Sequence, residues 1–231
     1  MQPELSNLTS SRQQPAAAEA DVRRTFLSHR TVDPLGVEGV RITYGRNEEI
    51  FGEGEPAAYV YRVLSGVVRT YRILADGRRQ IANFFLSGDV FGLQEGLEHG
   101  ISAEAVGDCD VLAMRRSQLA ERAASDAAVA QKLWSLTLHC LKRSEEHMLL
   151  LGRKSACERL AWFLMDMSER IPAPERVDLP MSRQDIADFL GLTIETVSRS
   201  ITQLQDEAVI CLAGARCVLL RDRNALLDLA A

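Results

Sequence analysis

The sequence predicts an α+β chain in which an all-β unit is followed by a long helix and a winged helix-turn-helix. Three observations predict it. From Val40 to Val111 short alternating apolar runs such as VRITY, YVYRVLSG and VVRTYRIL are punctuated by glycine, the pattern of a sandwich or barrel rather than of alternating β and α units. From Ser125 to about Leu151 the apolar spacing turns helical. From Ser182 to Leu204 the chain reads SRQDIADFLGLTIETVSRSITQL, two short amphipathic helices around a glycine.

Taken in order, residues 1–24 are rich in Gln, Ser, Pro and Ala and lack periodicity, so a disordered tail is expected there. Residues 25–124 make the β unit, in which Asp76-Gly77 suits a tight hairpin. Residues 125–152 form the long helix and its hinge, with Ser125 or Asp126 as the cap and Gly152 as the break. A 4-3 spacing along it picks out Val129, Leu133, Leu136, Cys140, Arg143, His147 and Leu150, and a neighbouring stripe holds Trp134, Leu141, Met148 and Leu151. Two apolar stripes need two surfaces, the β unit and a partner helix. The first stripe is assigned to the dimer seam, with Arg143 and His147 at its hydrated end.

Residues 153–231 form the last unit. Ser155 to Arg170 is amphipathic, with Ala156, Leu160, Phe163, Leu164 and Met167 inward and Pro172 and Pro174 beyond its end. After the helix-turn-helix, AVICLAGARCVLL reads as strand, Ala213-Gly214 turn, strand, which is a wing with Arg216 beside its tip. Asn224 to Leu229 closes the unit as a small helix.

Within the helix-turn-helix, Ser182 and Asp185 have the spacing of a capping box. Gly191 permits the positive φ that ends the first helix, and Thr193 caps the second. Val197, Ile201 and Leu204 form the buried stripe of that second helix, leaving Ile194, Glu195, Ser198, Arg199 and Thr202 on the opposite face. Two helices around a glycine also occur in all-α cores, but the exposed residues are the wrong kind for a passive face. Arginine donates two bonds to guanine, and glutamate accepts from cytosine N4 but is repelled by phosphates.

The composition, 46% hydrophobic and 26% charged over 231 residues, is that of an ordinary globular protein long enough for two domains. No apolar run approaches a membrane span and no signal peptide opens the chain, so a cytoplasmic protein without a membrane partner is expected. The five cysteines are dispersed, without a C-x-x-C pair or a ligand cluster with the four histidines, which fits a reduced compartment and no metal. A net charge of −5 excludes a general nucleic-acid sponge. From Gly152 onward ten Lys and Arg face twelve Asp and Glu, so affinity for DNA depends on where the cations sit. No catalytic set, metal triad or phosphate loop assembles at known spacing, so no enzyme is expected.

The order of parts resembles the Crp–Fnr superfamily of bacterial transcription regulators over roughly residues 25 to 231. Leu190 to Arg199, LGLTIETVSR, carries Glu195, Ser198 and Arg199 of the Fnr-type signature E-x-x-S-R, and ERLAWFLMDM, Glu158 to Met167, is similar to the helix that precedes it. The resemblance implies a jelly-roll-like β-roll sensor domain of the cyclic-nucleotide-binding fold. In the nucleotide-binding branch an F-G-E stretch precedes an Arg-Ser/Thr-Ala triplet. Here Leu93 follows Phe91 and Gly92, and no arginine lies between Gly92 and Ala105. No cysteine precedes Cys109, so the cluster of Fnr itself is not implied. Keeping E-x-x-S-R without either sensor resembles the FixK branch, regulators of microaerobic respiration, denitrification and nitrogen fixation, and implies a palindrome of the TTGAT…ATCAA kind.

The expectation is a cofactor-free homodimeric activator that reads double-stranded DNA and recruits RNA polymerase. Ile194, Glu195, Ser198 and Arg199 read bases. Ser182, Arg183, Thr193, Thr202 and Arg216 hold phosphates. The alternative is a ligand-gated regulator in which Phe84, Phe85 and Phe91 line a pocket of the roll. Cys211 and Cys217, flanking the wing turn, are either oxidation-sensitive or small core residues.

Overall fold

The computed structural model describes residues 30–171 and 175–230; the expected tail, Pro172 and Pro174 lie outside the described residues. The first half consists of β1 (Arg30–Val32), β2 (Glu38–Tyr44), β3 (Glu49–Phe51), β4 (Tyr59–Ser65), β5 (Val68–Ile73), β6 (Arg79–Phe85), β7 (Val90–Phe91), β8 (Ser102–Ala105) and β9 (Cys109–Arg115). They form two antiparallel sheets, ordered β1-β2-β9-β4-β7 and β3-β8-β5-β6. Alternation sends Tyr61, Val63 and Val111 of one sheet and Phe51, Val68 and Ala103 of the other into a shared core. Gly66 turns the chain between the sheets at φ +81°, and a Cβ there would stand 2.5 Å from Asp108 O; only glycine fits. The Asp76-Gly77 hairpin forms as expected, closed by Leu74 N–H donating to Arg78 O.

The second half is α1 (Arg116–Ser125), α2 (Ala127–Arg153), α3 (Ala156–Arg170), β10 (Arg176–Asp178), α4 (Arg183–Leu190), α5 (Ile194–Asp206), β11 (Ile210–Leu212), β12 (Cys217–Leu220) and α6 (Arg223–Ala230). Asp126 caps α2 by accepting from Ala128 N–H at 2.9 Å. The helix does not break at Gly152: it runs on to Arg153, and the bend lies at the extended Lys154 before the Ser155 capping box of α3. A glycine in a last turn costs only about 1 kcal/mol, so Ser155 decides the boundary. The wing forms from β11 and β12, and β10 adds a third strand, in the order β10-β12-β11.

The first stripe of α2, expected at a dimer seam, packs on the chain's own units. Val129 is buried, and Leu133 and Leu136 pack with Leu112, Met114 and Leu119 of the chain's own β unit. Cys140 is half-buried, and Leu150 lies in the core shared with the winged helix. Arg143 and His147 are not a hydrated end either. Arg143 donates to Asp166 and Asn83, both at 3.3 Å, and His147 stacks on Phe189 at 4.2 Å. Both stripes are apolar, so spacing alone does not tell which one the β unit takes. The exposed face carries Trp134 (66%), Leu138, Leu141, Met148 (66%) and Leu149.

A second correction concerns Phe84. It points out of the roll and packs against Phe163 and Phe189 with centroids at 6.3 and 5.3 Å. Val67, Ile81, Phe84 and Val106 thus share one buried cluster with α3, α4 and α5, so the winged helix covers what would otherwise be a solvent face of the sheet. Phe85 and Phe91 stay inside, packed on each other at 5.3 Å.

Candidate nucleic-acid interface

Local chemistry sets the pose of α4 and α5. Ser182 caps α4, with its oxygen accepting from Asp185 N–H at 3.1 Å while its own N–H donates to Asp185 at 2.9 Å. Gly191 ends α4 at φ 62°, ψ 38°. Thr193 caps α5 by accepting from Thr196 N–H. Val197, Ile201 and Leu204 are buried against α3 and α4, which turns the opposite face outward.

On that face Ile194, Glu195, Ser198, Arg199 and Thr202 are all exposed, so the four residues expected to read bases lie together. Arg199 makes no hydrogen bond or salt bridge among the described residues, leaving its fork available. The Glu195 carboxyl is held below its usual pKa by its own backbone N–H, then by Thr193 and Arg199; it is ionised and acceptor-only at neutral pH. Ser198 donates its hydroxyl to Ile194 O at 2.8 Å, and Thr202 donates to Ser198 O at 3.1 Å, so both keep their oxygens as acceptors toward a neighbouring base or a water.

The residues expected at phosphates are less uniform. Arg183 is half-buried and unpaired among the described residues, and Thr193 is exposed at the start of α5. Ser182 has its hydroxyl committed to Asp185 Oδ2 at 2.8 Å. Arg216 is exposed on the wing and donates one nitrogen to Pro180 O at 3.3 Å, leaving the rest of its fork free. Elsewhere arginines are consumed by structure: Arg62 pairs with Asp33, Arg143 and Arg170 with Asp166. The acidic total therefore does not strip this face of positive charge, because Arg199 on α5 and Arg183 on α4 belong to the cations left unpaired among the described residues.

Sequence reasoning missed one group of residues here. Arg69, Arg79 and Gln80 of the β unit bond to α4. No local pattern signals pairs more than 100 positions apart; a charged residue at a core-facing strand position is the one available hint.

Among the described residues no helix is long and apolar enough to cross a membrane, and no group of three or more His, Cys, Asp and Glu could hold a metal ion. A β-roll carrying a long helix and a winged helix with an open reading face defines a DNA-binding regulator. Comparison with known proteins agrees. Residues 41–126 match the cyclic nucleotide-binding domain and residues 158–229 the Crp-like helix-turn-helix domain. A protein of Azorhizobium caulinodans named nitrogen fixation regulation protein FixK is 48% identical over 86% of this chain and 82% of its own length. Its namesake in Rhizobium meliloti is 39% identical over 93% of this chain and 98% of its own length. The solved structure of FixK2 from Bradyrhizobium japonicum is 50% identical, covers 84% of this chain and 98% of its own, and superposes with a TM-score of 0.80. The chain belongs to the Crp–Fnr family of transcription regulators and is like its FixK branch.

Proposed function

We propose that the chain is a homodimeric activator of microaerobic respiration, denitrification or nitrogen-fixation genes that binds a TTGAT…ATCAA palindrome with no cyclic nucleotide or iron–sulfur cluster. The observation that carries it is the exposed face of α5, where Glu195 and Arg199 stand in the open beside Ile194 and Ser198. Dimerisation is supported by the exposed apolar face of α2, Trp134 to Leu149, which water disfavours unless a second copy covers it. Two reading helices then enter successive major grooves roughly 34 Å apart. RNA polymerase is recruited by loops of the β domain, and the protein works in the cytoplasm.

Effector independence is supported by the loop that stands where the nucleotide-binding branch has its phosphate cassette. Leu93 replaces the glutamate and no arginine follows before Ala105. The loop is held by the chain itself: Arg116 donates to Gly96 O at 2.6 Å and to Gln94 O, Gln94 bonds His99 at 2.9 Å, and His99 stacks on Phe51 at 3.6 Å. With Phe84 facing outward, a pocket lined by Phe84, Phe85 and Phe91 has lost one of its walls. The test is fluorescence anisotropy on the palindrome with purified full-length protein. Binding in air without added nucleotide is expected; a requirement for cyclic AMP would overturn the reading.

A further inference from the structure

Two arginines of the β unit grip the first helix of the DNA-reading unit. Arg69 on β5 is 4% exposed and donates Nη1 to Asp185 Oδ1 at 2.9 Å. Its remaining donors reach Glu104 and, at 3.0 Å, Asn47. Arg79 on β6 donates Nη2 to the same Asp185 oxygen at 2.6 Å and Nε to Asp188 Oδ2 at 2.8 Å. The other oxygen of Asp185 is the one that caps α4. At the far end of α4 the carbonyls are also taken from outside it. Gln80 donates to Asp188 O at 2.7 Å, His147 to Phe189 O at 2.8 Å and Arg159 to Leu190 O at 2.9 Å. No buried side-chain nitrogen or oxygen among the described residues lacks a partner, so the joint is complete without an added molecule.

Simple neutralisation of two arginines does not account for this arrangement. Glu104 of the β unit already serves both guanidinium groups. Asp185 and Asp188 come from α4, which leads through Gly191 directly into α5. The tilt of α4 therefore fixes where the reading face points, and planar guanidinium forks fix tilt better than apolar contact does. In a two-fold dimer that direction sets the distance between the two reading faces.

The geometry points to Arg69 and Arg79 as positioning residues for DNA reading: they lock the winged helix to the β domain so that the half-site spacing is built in rather than induced by an effector. This rests on the proposed effector-independent dimer. It makes the outer face of the β3-β8-β5-β6 sheet, rather than the interior of the roll, the surface that controls the DNA-binding unit.

The test uses full-length wild type, Arg79→Ala, Asp188→Ala and the conservative Arg79→Lys. Affinity is measured for the palindrome, for palindromes whose central spacer is one base pair longer or shorter, and for a scrambled duplex. Sedimentation and thermal melting establish that each variant is a folded dimer; if Arg79→Ala is not, Asp188→Ala serves in its place. Wild type should prefer one spacer sharply. Arg79→Ala should lose about tenfold or more on that spacer, part of the gain from engaging both half-sites, lose little on the others and nothing on the scrambled duplex. Arg79→Lys, which keeps the positive charge between Asp185 and Asp188 but loses the fork, should recover part of the preference. A variant that weakens every spacer equally, or keeps the wild-type profile, refutes the positioning role. Should wild type bind only with cyclic AMP, effector independence fails, while the spacer profile measured with cyclic AMP present still decides the role of the arginines.

Discussion

If the proposed dimer forms through the exposed face of α2, replacing Trp134 by alanine should take it apart while leaving the protomer folded. Trp134 exposes 66% of its surface, and a tryptophan has roughly 150–250 Å² to bury. Covering what is exposed removes about 100–160 Å² from water, or about 2.5–4 kcal/mol per protomer at about 25 cal/mol per Å². Each dimer contains two copies, so even the lower figure raises the dimer dissociation constant by about 4000-fold. The stripe of Val129, Leu133 and Leu136 should behave oppositely. Leu136 packs on the chain's own β unit, so Leu136→Ala should lower the melting temperature and leave the dimer constant of the folded protein nearly unchanged. Sedimentation equilibrium from nanomolar to micromolar concentration reads both. A Trp134→Ala protein that stays dimeric while folded Leu136→Ala dissociates would refute the reasoning and return the seam to the first stripe.

Other consequences follow from burial and backbone geometry. Leu150→Ala, at 1% exposure in the core shared by the two units, should cost about 2–5 kcal/mol in chemical denaturation. Gly66→Ala forces a Cβ to 2.5 Å from Asp108 O at positive φ and should cost about 2–4 kcal/mol, read in the same experiment. Burial holds the pKa of His99 and of His147 below the usual imidazole value. The unfolded chain then takes up these protons first, so stability is full above about pH 6.5 and falls as the pH drops from there toward the folded values. Denaturation midpoints at pH 7.5 and 5.5 check this, and replacing both histidines by glutamine should shrink the difference.

The fold and the outward face of α5 were legible wherever the deciding forces act within a few residues. Ser182 with Asp185, Gly191, and Thr193 ahead of Val197 are local devices, and each forms as its spacing predicts. Long-range choices were not legible. Phe84 and Phe85 are adjacent and both apolar; which one enters the roll depends on strand register, and the other is tolerable only because the winged helix covers it. Likewise α2 offers two apolar stripes, and the β unit takes the one whose ends meet Leu119 and the α3–α4 core. Arg143 and His147 on that stripe looked too polar for burial because Asp166 and Phe189 O, which satisfy them, lie 23 and 42 residues away.

The central claim, that α5 reads sequence through Arg199, is tested most directly by a competition assay with Arg199→Ala over every single-base variant of the palindrome. Arg199 is exposed and unpaired among the described residues, so the substitution should leave the fold intact. The account predicts a loss of about 1–3 kcal/mol per half-site, with the preference flattened at one base pair and preserved at the others. Arg183→Ala, assayed alongside, should weaken all variants alike and reduce the salt slope by about one. An even loss across all variants for Arg199→Ala would contradict the account, because it would make that arginine a phosphate clamp.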